Sequence, residues 1–148
     1  MKNFDSNDAF LGTGWSFPPS FQTHNRLVKM VSYEQDIQES LHILLSTKPG
    51  ERVMQPAFGC ELKTMIFEII SESLITRIKD AVERAILFFE PRITLESVEV
   101  QVDTDPSEEQ SIYDGVLYIY IEYTIRKTNT RSNMVYPYYF FEGTNVQF

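Results

Sequence analysis

The chain has 148 residues, 43% of them hydrophobic and 14% aromatic, with a formal net charge of −8. That length suits one globular domain, and so high an aromatic content argues against disorder over most of it. A lone cysteine, Cys60, leaves no internal disulfide and no Cys-based zinc site; no apolar run approaches the roughly 20 residues of a membrane span, and no secretion signal is expected.

Residues 1–26 mix Gly, Pro and Asn with Phe4, Phe10, Trp15, Phe17 and Phe21 but show no sustained period. They read as an irregular, extended arm that packs on something, with residues 27–148 as a single domain. A short strand is expected around residues 27–31. Ser32 with Gln35 three residues later then forms a capping box, and Glu34 and Asp36 suit the positive end of the helix that follows. Ile37, Leu41, Leu44 and Leu45 fall on one face of that helix, which stops at Lys48-Pro49-Gly50.

After a connector through residues 55–59, a short helical piece carries Leu62, Met65 and Ile66 inward. A longer helix starts near Ser71 or Ser73, with Leu74, Ile78, Val82, Ala85 and Phe89 as its apolar face. Pro91 has no amide proton and pushes its predecessor out of helical angles, so this helix ends near Glu90 and the chain turns directly into a strand. Glu90 and Arg92 are thus fixed on either side of a rigid break, an arrangement suited to docking because arginine makes forked, directional hydrogen bonds.

The final third changes period. Ile93 and Leu95 are followed by Val98, Val100 and Val102, and the slip in phase predicts a bulge near Ser97. Leu117, Ile119, Ile121, Tyr123 and Ile125 alternate cleanly as the best strand of the chain. Residues 126–133 read as a polar turn, and residues 134–141 as a further strand that Pro137 places at a sheet edge. Its aromatic, uncharged sequence needs cover, either from the domain's own helices or from a partner's added strand. The order of elements gives an α+β fold, with helices on one side of a small, mostly antiparallel sheet.

Charge is uneven: between residues 93 and 125 there is no Lys or Arg, while Glu96, Glu99, Asp103, Asp105, Glu108, Glu109, Asp114 and Glu122 are acidic. This reads as a solvated hairpin, and an acidic chain with no clustered basic surface is unsuited to nucleic acid. His24 and His42 lie far apart, and neither pairs with Cys60 at metal or nucleophile spacing. Gly12-Thr13-Gly14 lacks the third glycine and the strand-to-helix context of a phosphate loop. A glycosidase needs two carboxylates set across a cleft; Glu51, Glu61, Glu68 and Glu90 are candidates that nothing in the sequence distinguishes.

Several blocks carry a resemblance: Gly12-Thr13-Gly14-Trp15-Ser16-Phe17-Pro18, Lys48-Pro49-Gly50-Glu51-Arg52-Val53-Met54, Pro56-Ala57-Phe58-Gly59-Cys60, Glu90-Pro91-Arg92 and Asn133-Met134-Val135-Tyr136-Pro137. Together they resemble the sheath-initiating baseplate wedge family of contractile phage tails, type VI secretion systems and extracellular contractile injection particles. Met134 departs conservatively from the leucine expected there.

The resemblance implies a structural adaptor without cofactor, present in six copies around a central tube and assembled in the bacterial cytoplasm. Its implied partners are other wedge subunits, the sheath protein, and the inner tube or hub, with neither nucleic acid nor membrane among them. Glu90, Pro91 and Arg92 would grip the helical core bundle of the wedge. A sheath-like C-terminal sheet would accept strands at Val135, Tyr136, Tyr138 and Phe140, and Trp15, Phe17 and Phe21 would supply contacts from the arm. Two competing readings are a peptidoglycan-degrading, lysozyme-like hydrolase, a label the family has carried, and a small regulatory protein using the same fold to bind one partner.

Overall fold

The computed structural model describes residues 13–22, 27–28, 30–102 and 116–139. Its contacts group the chain into two compact units, Met1–Ile43 and Leu44–Phe148. In the first, β1 (Thr13–Trp15) pairs antiparallel with β4 (Met30–Ser32), and β2 (Phe21–Gln22) with β3 (Leu27–Val28). β1 and β2, which fall within the expected arm, are therefore paired strands and not irregular chain, and the single strand expected around residues 27–31 is two, β3 and β4. Strands of two or three residues are too short to show a period, which is why the sequence reads as irregular there.

α1 (Tyr33–Ser46) follows at once, with Glu34 and Asp36 in its first turn. The Gln35 side chain donates from Nε2 to Glu39 Oε1 at 3.1 Å. Ile37, Leu41, Leu44 and Leu45 are all buried, as their spacing predicts. A Cβ at Gly14 would meet Asp36 Oδ1, the end of a side chain that can turn aside.

In the second unit, a 3-10 turn (Glu61–Met65) buries Leu62 and Met65 and packs on α2 (Glu72–Phe89). Ser71 caps α2 by accepting from the Leu74 amide at 3.2 Å. The helix lays Leu74, Ile78, Ala81, Val82, Ala85 and Ile86 inward, and it packs on the sheet through β5. The sheet is antiparallel, in the order β5 (Ile93–Val102), β6 (Val116–Ile125), β7 (Thr130–Tyr139). Leu117, Ile119, Ile121, Tyr123 and Ile125 of the central strand are fully buried. The architecture is α+β, with helices and an antiparallel sheet. The segment 103–115, which holds most of the acidic stretch, lies outside the described residues, as do His24, Gly12 and Phe140.

Two details of the sheet sharpen the sequence reading. The register shifts between Leu95 and Ser97, so Glu96 is the bulged residue. The turn after β6 is shorter than expected: Asn129, at φ 52, closes it with its amide on the Ile125 carbonyl at 2.8 Å, and β7 begins at Thr130 instead of residue 134. Asparagine tolerates this left-handed conformation. Residues 130–133 are polar because that end of the hairpin is exposed or only half-buried, and polarity reports exposure, not the absence of strand pairing.

Candidate docking surfaces

α2 ends where proline dictates. Glu90 has left helical angles (φ −126, ψ 79), yet its amide still reaches the Ile86 carbonyl at 3.0 Å. Its side chain is only 3% exposed. Arg92 closes on it with a fork: Nε donates to Oε1 at 2.7 Å and Nη2 to Oε2 at 2.8 Å. The Arg92 carbonyl accepts from the Arg126 amide at 3.0 Å, and Arg126 Nε lies 3.2 Å from both the Ile93 carbonyl and Thr94 Oγ1. The corner is thus clamped to the turn after β6. The sequence suggests two charges presented side by side. The fold turns the Glu90 carboxylate inward to orient Arg92, whose side chain stays 30% exposed, while Pro91 is exposed.

The connector 47–60 is braced as firmly. The Cys60 amide donates to the Thr47 carbonyl at 2.8 Å, that of Gly50 to Pro56 at 2.6 Å, that of Phe58 to Gln55 at 3.1 Å, and that of Glu51 to Lys48 at 3.1 Å. The Lys48 amide in turn donates to Glu51 Oε2 at 2.8 Å. Gly59, at φ 131, brings the two ends together: a Cβ there would collide with the Thr47 carbonyl. The Arg52 guanidinium lies 4.0 Å from the centroid of the Phe58 ring, and Phe58 meets Phe89 edge-on at 5.2 Å. Phe89 directly precedes Glu90, so this contact ties the connector to the end of α2. A cleft of about 190 Å³ lies between the connector and α2, lined among others by Pro49, Gly59, Cys60, Arg84, Phe88 and Phe89. That is below the volume of ordinary small-molecule sites.

Sequence reasoning missed this junction, and it missed that Val53 and Met54 are 94% and 91% exposed and Leu87 and Phe88 71% and 74% exposed. One signal was present: Leu87 and Phe88 fall outside the apolar period of α2. Cys60 is buried, and desolvation pushes its thiol up to about 11, partly opposed by the backbone at Leu62 and Glu61, so it is held as an inert thiol. Among the described residues no group of three or more His, Cys, Asp or Glu side chains converges to hold a metal ion.

At the third surface, β7 has no neighbour on its outer side among the described residues. Val135 is 45% exposed, but two of the tyrosines expected there face inward. The Tyr136 hydroxyl lies 3.1 Å from Ser46 Oγ, and Tyr138, 5% exposed, donates to the Leu62 carbonyl. They anchor the strand. What the edge offers is backbone. The Arg126 amide bonds across to Arg92, so alternation along β6 directs the backbone groups of residues 125, 123, 121, 119 and 117 toward β7. Their partners on β7 are residues 130, 132, 134, 136 and 138, which leaves residues 131, 133, 135, 137 and 139 facing out. Pro137, which has no amide to donate, sits in that outward set, as an edge proline must.

In the first unit, Trp15, Phe17 and Phe21 are 63%, 44% and 69% exposed. The Phe17 amide donates to Glu39 Oε2 at 2.8 Å, and its ring lies 5.5 Å from that of His42. Phe17 is therefore displayed from a backbone pinned to α1, while Trp15 and Phe21 stand on the short paired strands β1 and β2.

Comparison with known proteins places these surfaces in context. A family model described as baseplate wedge protein gp25 matches residues 31–130. The chain is 32% identical over 66 residues to baseplate wedge protein gp25 of Enterobacteria phage T4; the match takes in 45% of this chain and 50% of that one, so the chain spans about half the length of this curated relative. Among solved structures it is similar to a protein of Geobacter sulfurreducens named as a tail lysozyme, at 41% identity and a TM-score of 0.63, covering 75% of this chain and 94% of that one. It is also similar to a chain of the anti-feeding prophage baseplate, at 28% identity and a TM-score of 0.64, covering 93% and 92%.

Proposed function

The chain belongs to the family of baseplate wedge protein gp25, and from that premise we propose that it works as a non-enzymatic adaptor in the baseplate of a contractile injection machine. It attaches to the other wedge subunits through the corner at Glu90, Pro91 and Arg92, with six copies around the tube, and it templates the first sheath ring by accepting strands at the outer edge of β7. The arm aromatics Trp15, Phe17 and Phe21 add contacts to neighbours in the baseplate, inner tube or hub. Assembly takes place in the bacterial cytoplasm.

The observation that carries this reading is the forked Glu90–Arg92 pair, with both bonds under 3 Å, at a corner clamped by Arg126. A guanidinium oriented from beneath by a buried carboxylate is a rigid, directional donor, the kind of group that anchors protein interfaces. The outward backbone row of β7 supports the strand-accepting half in the same way, since an uncovered edge is a template for an added strand.

The hydrolase reading draws on the naming of the Geobacter sulfurreducens relative as a tail lysozyme. Three of the four candidate carboxylates are engaged within the chain: Glu90 with Arg92, Glu51 with the Lys48 amide, and Glu68 with Arg77 at 2.5 Å. A glycosidase needs one such group protonated and another poised on the opposite side of a substrate cleft. To test the choice, the tagged protein is recovered from its host, co-purifying proteins are identified by mass spectrometry, and muramidase activity is measured on the same eluate. Sheath, tube and wedge proteins without hydrolysis support the adaptor; a lone protein that cleaves peptidoglycan refutes it.

A further inference from the structure

We infer that, before it joins a baseplate, the chain pairs with a second copy of itself: two β7 strands run antiparallel along their outer edges, about a twofold axis at Val135. This rests on the strand-accepting reading of that edge and adds its regulation, since the edge stays covered until assembly frees it.

The edge itself calls for a strand. Residues 131, 133, 135, 137 and 139 turn their backbone groups away from β6, and among the described residues no strand lies beside them. A row of unpaired donors and acceptors along ten residues is a template for another chain. Edges are commonly guarded by charge or proline, and β7 is guarded thinly. Its one charged residue is Arg131, next to its start, and Pro137 withholds one outward amide. From Met134 to Tyr139 the strand is uncharged, with Val135 and Tyr139 exposed and Met134 and Tyr136 half-buried.

The second copy is favoured because β7 is complementary to its own reverse. Hydrogen-bonded pairs with an added antiparallel strand fall at the outward residues. With a second β7, only the register centred on Val135 sets every outward residue of one copy opposite an outward residue of the other. Val135 then meets its own counterpart, Asn133 meets Pro137, and Arg131 meets Tyr139. On the opposite face of the sheet Met134 meets Tyr136, and Ser132 meets Tyr138. Arginine over a tyrosine ring and methionine beside one are both favourable contacts. Parallel pairing in register would set Arg131 against Arg131, a like-charge pair that destabilises a ladder, so the charge selects the antiparallel arrangement.

The same features limit the pairing. Pro137 forfeits one bond in each half, leaving the carbonyl of the exposed Asn133 to water. Two chains of net charge −8 repel, so the dimer should tighten as salt screens them. A twofold contact consumes the β7 edge of both copies and closes at two, so it does not propagate. A strand arriving at the baseplate competes for the same backbone row and displaces the second copy.

The test begins with sedimentation equilibrium of the purified full chain over a range of concentrations and salt. A reversible dimer, tighter at higher salt, is expected. Val135→Pro removes the central amide from both copies and should weaken the dimer about 30-fold. Tyr139→Lys, which sets a lysine opposite Arg131, should weaken it about 5-fold, and adding Arg131→Glu to that variant should restore it. Paired Val135 residues lie about 5.5 Å apart between Cα atoms. In a Cys60→Ala background, a short bis-maleimide should therefore link two chains through Val135→Cys and not through Thr130→Cys, whose counterparts lie at opposite ends of the paired strands. The inference is overturned by a chain that stays monomeric at every concentration, by a dimer that Val135→Pro leaves intact, or by linkage at position 130 as ready as at 135. If any of these holds while particles carrying Val135→Pro still fail to extend sheath, only self-pairing falls. If those particles extend sheath normally, the strand-accepting reading falls with it.

Discussion

Phe58 meets Phe89 edge-on at 5.2 Å, and this one contact joins the braced connector to the end of α2. Arg52 stacks on the same Phe58 ring, so three side chains join the connector to the helix end. Phe58→Ala removes a half-buried ring and its aromatic contact, and a loss of about 1–2 kcal/mol in urea denaturation is expected. Hydrogen exchange at the Gly50 and Cys60 amides should speed up more than exchange in β6. Unchanged exchange at those two amides would mean that the backbone bonds alone hold the loop.

The Glu90–Arg92 pair is asymmetric, and its mutants should be too. Glu90 is 3% exposed and Arg92 30%. Arg92→Gln takes the forked cation from a buried carboxylate and should cost about 2–3 kcal/mol, whereas Glu90→Gln leaves a guanidinium that water still reaches and should cost about 1 kcal/mol. Charge reversal at Arg92 would set a second carboxylate against Glu90 and unfold the corner, so it does not isolate docking. Arg92→Lys does: it keeps the charge, loses the fork, and should weaken wedge attachment with little change in stability. Equal destabilisation by the two glutamine variants would contradict this account.

Where local rules act alone, the fold was legible. Ser71 and Pro91 bracket α2 by capping and by a missing amide, and the alternation of β6 follows from one face being buried. Legibility failed where a residue's role depends on distant neighbours. Glu90 reads as a surface charge until the fold buries it beneath Arg92, and Tyr136 and Tyr138 read as an exposed aromatic edge until Ser46 and Leu62 receive their hydroxyls. The meeting of Phe58 with Phe89 is a tertiary contact that no period announces.

Cys60 makes stability depend on alkaline pH. Burial raises its thiol from 9.0 to about 11, so the folded state holds a proton that the unfolded chain has already released between those values. Its contribution is complete below pH 9 and is lost as the pH rises toward 11, by roughly 2 kcal/mol. Comparing denaturation of the parent with Cys60→Ala from pH 8 to 11 isolates this effect from other titrating groups. The difference between the two proteins should shift across that window, and a constant difference would show that the thiol does not titrate with folding. Ellman's reagent should also react slowly at pH 8 in the native state and quickly in urea.

Tyr123 is fully buried, and its hydroxyl has no hydrogen-bond partner among the described residues. An unpaired buried hydroxyl is unfavourable, so Tyr123→Phe should leave stability unchanged or raise it by up to about 1 kcal/mol. A loss of more than that in urea denaturation would show that the hydroxyl is satisfied in solution. The neighbouring case runs the other way: Tyr138→Phe removes a buried donor from the Leu62 carbonyl and should cost about 1–2 kcal/mol.

The outer edge of β7, proposed above to accept strands, can be blocked without touching the core. Charges at Tyr138 would strike the buried anchor, but the outward backbone row is open to a gentler change. Val135 lies two residues before Pro137 in that row, so its amide, like the one Pro137 lacks, is not used by β6. Val135→Pro therefore removes one outward donor while the β6–β7 ladder stays intact, and it should lower stability by no more than about 1 kcal/mol. In producing cells, particles carrying this variant should assemble baseplates that retain the protein yet fail to extend sheath, seen as bare tubes or baseplates in electron micrographs. Met134→Pro, on the inward set, should instead break a ladder bond and destabilise the sheet itself. Sheaths of normal length on the Val135→Pro particle would remove strand addition from the account while leaving the docking corner untouched.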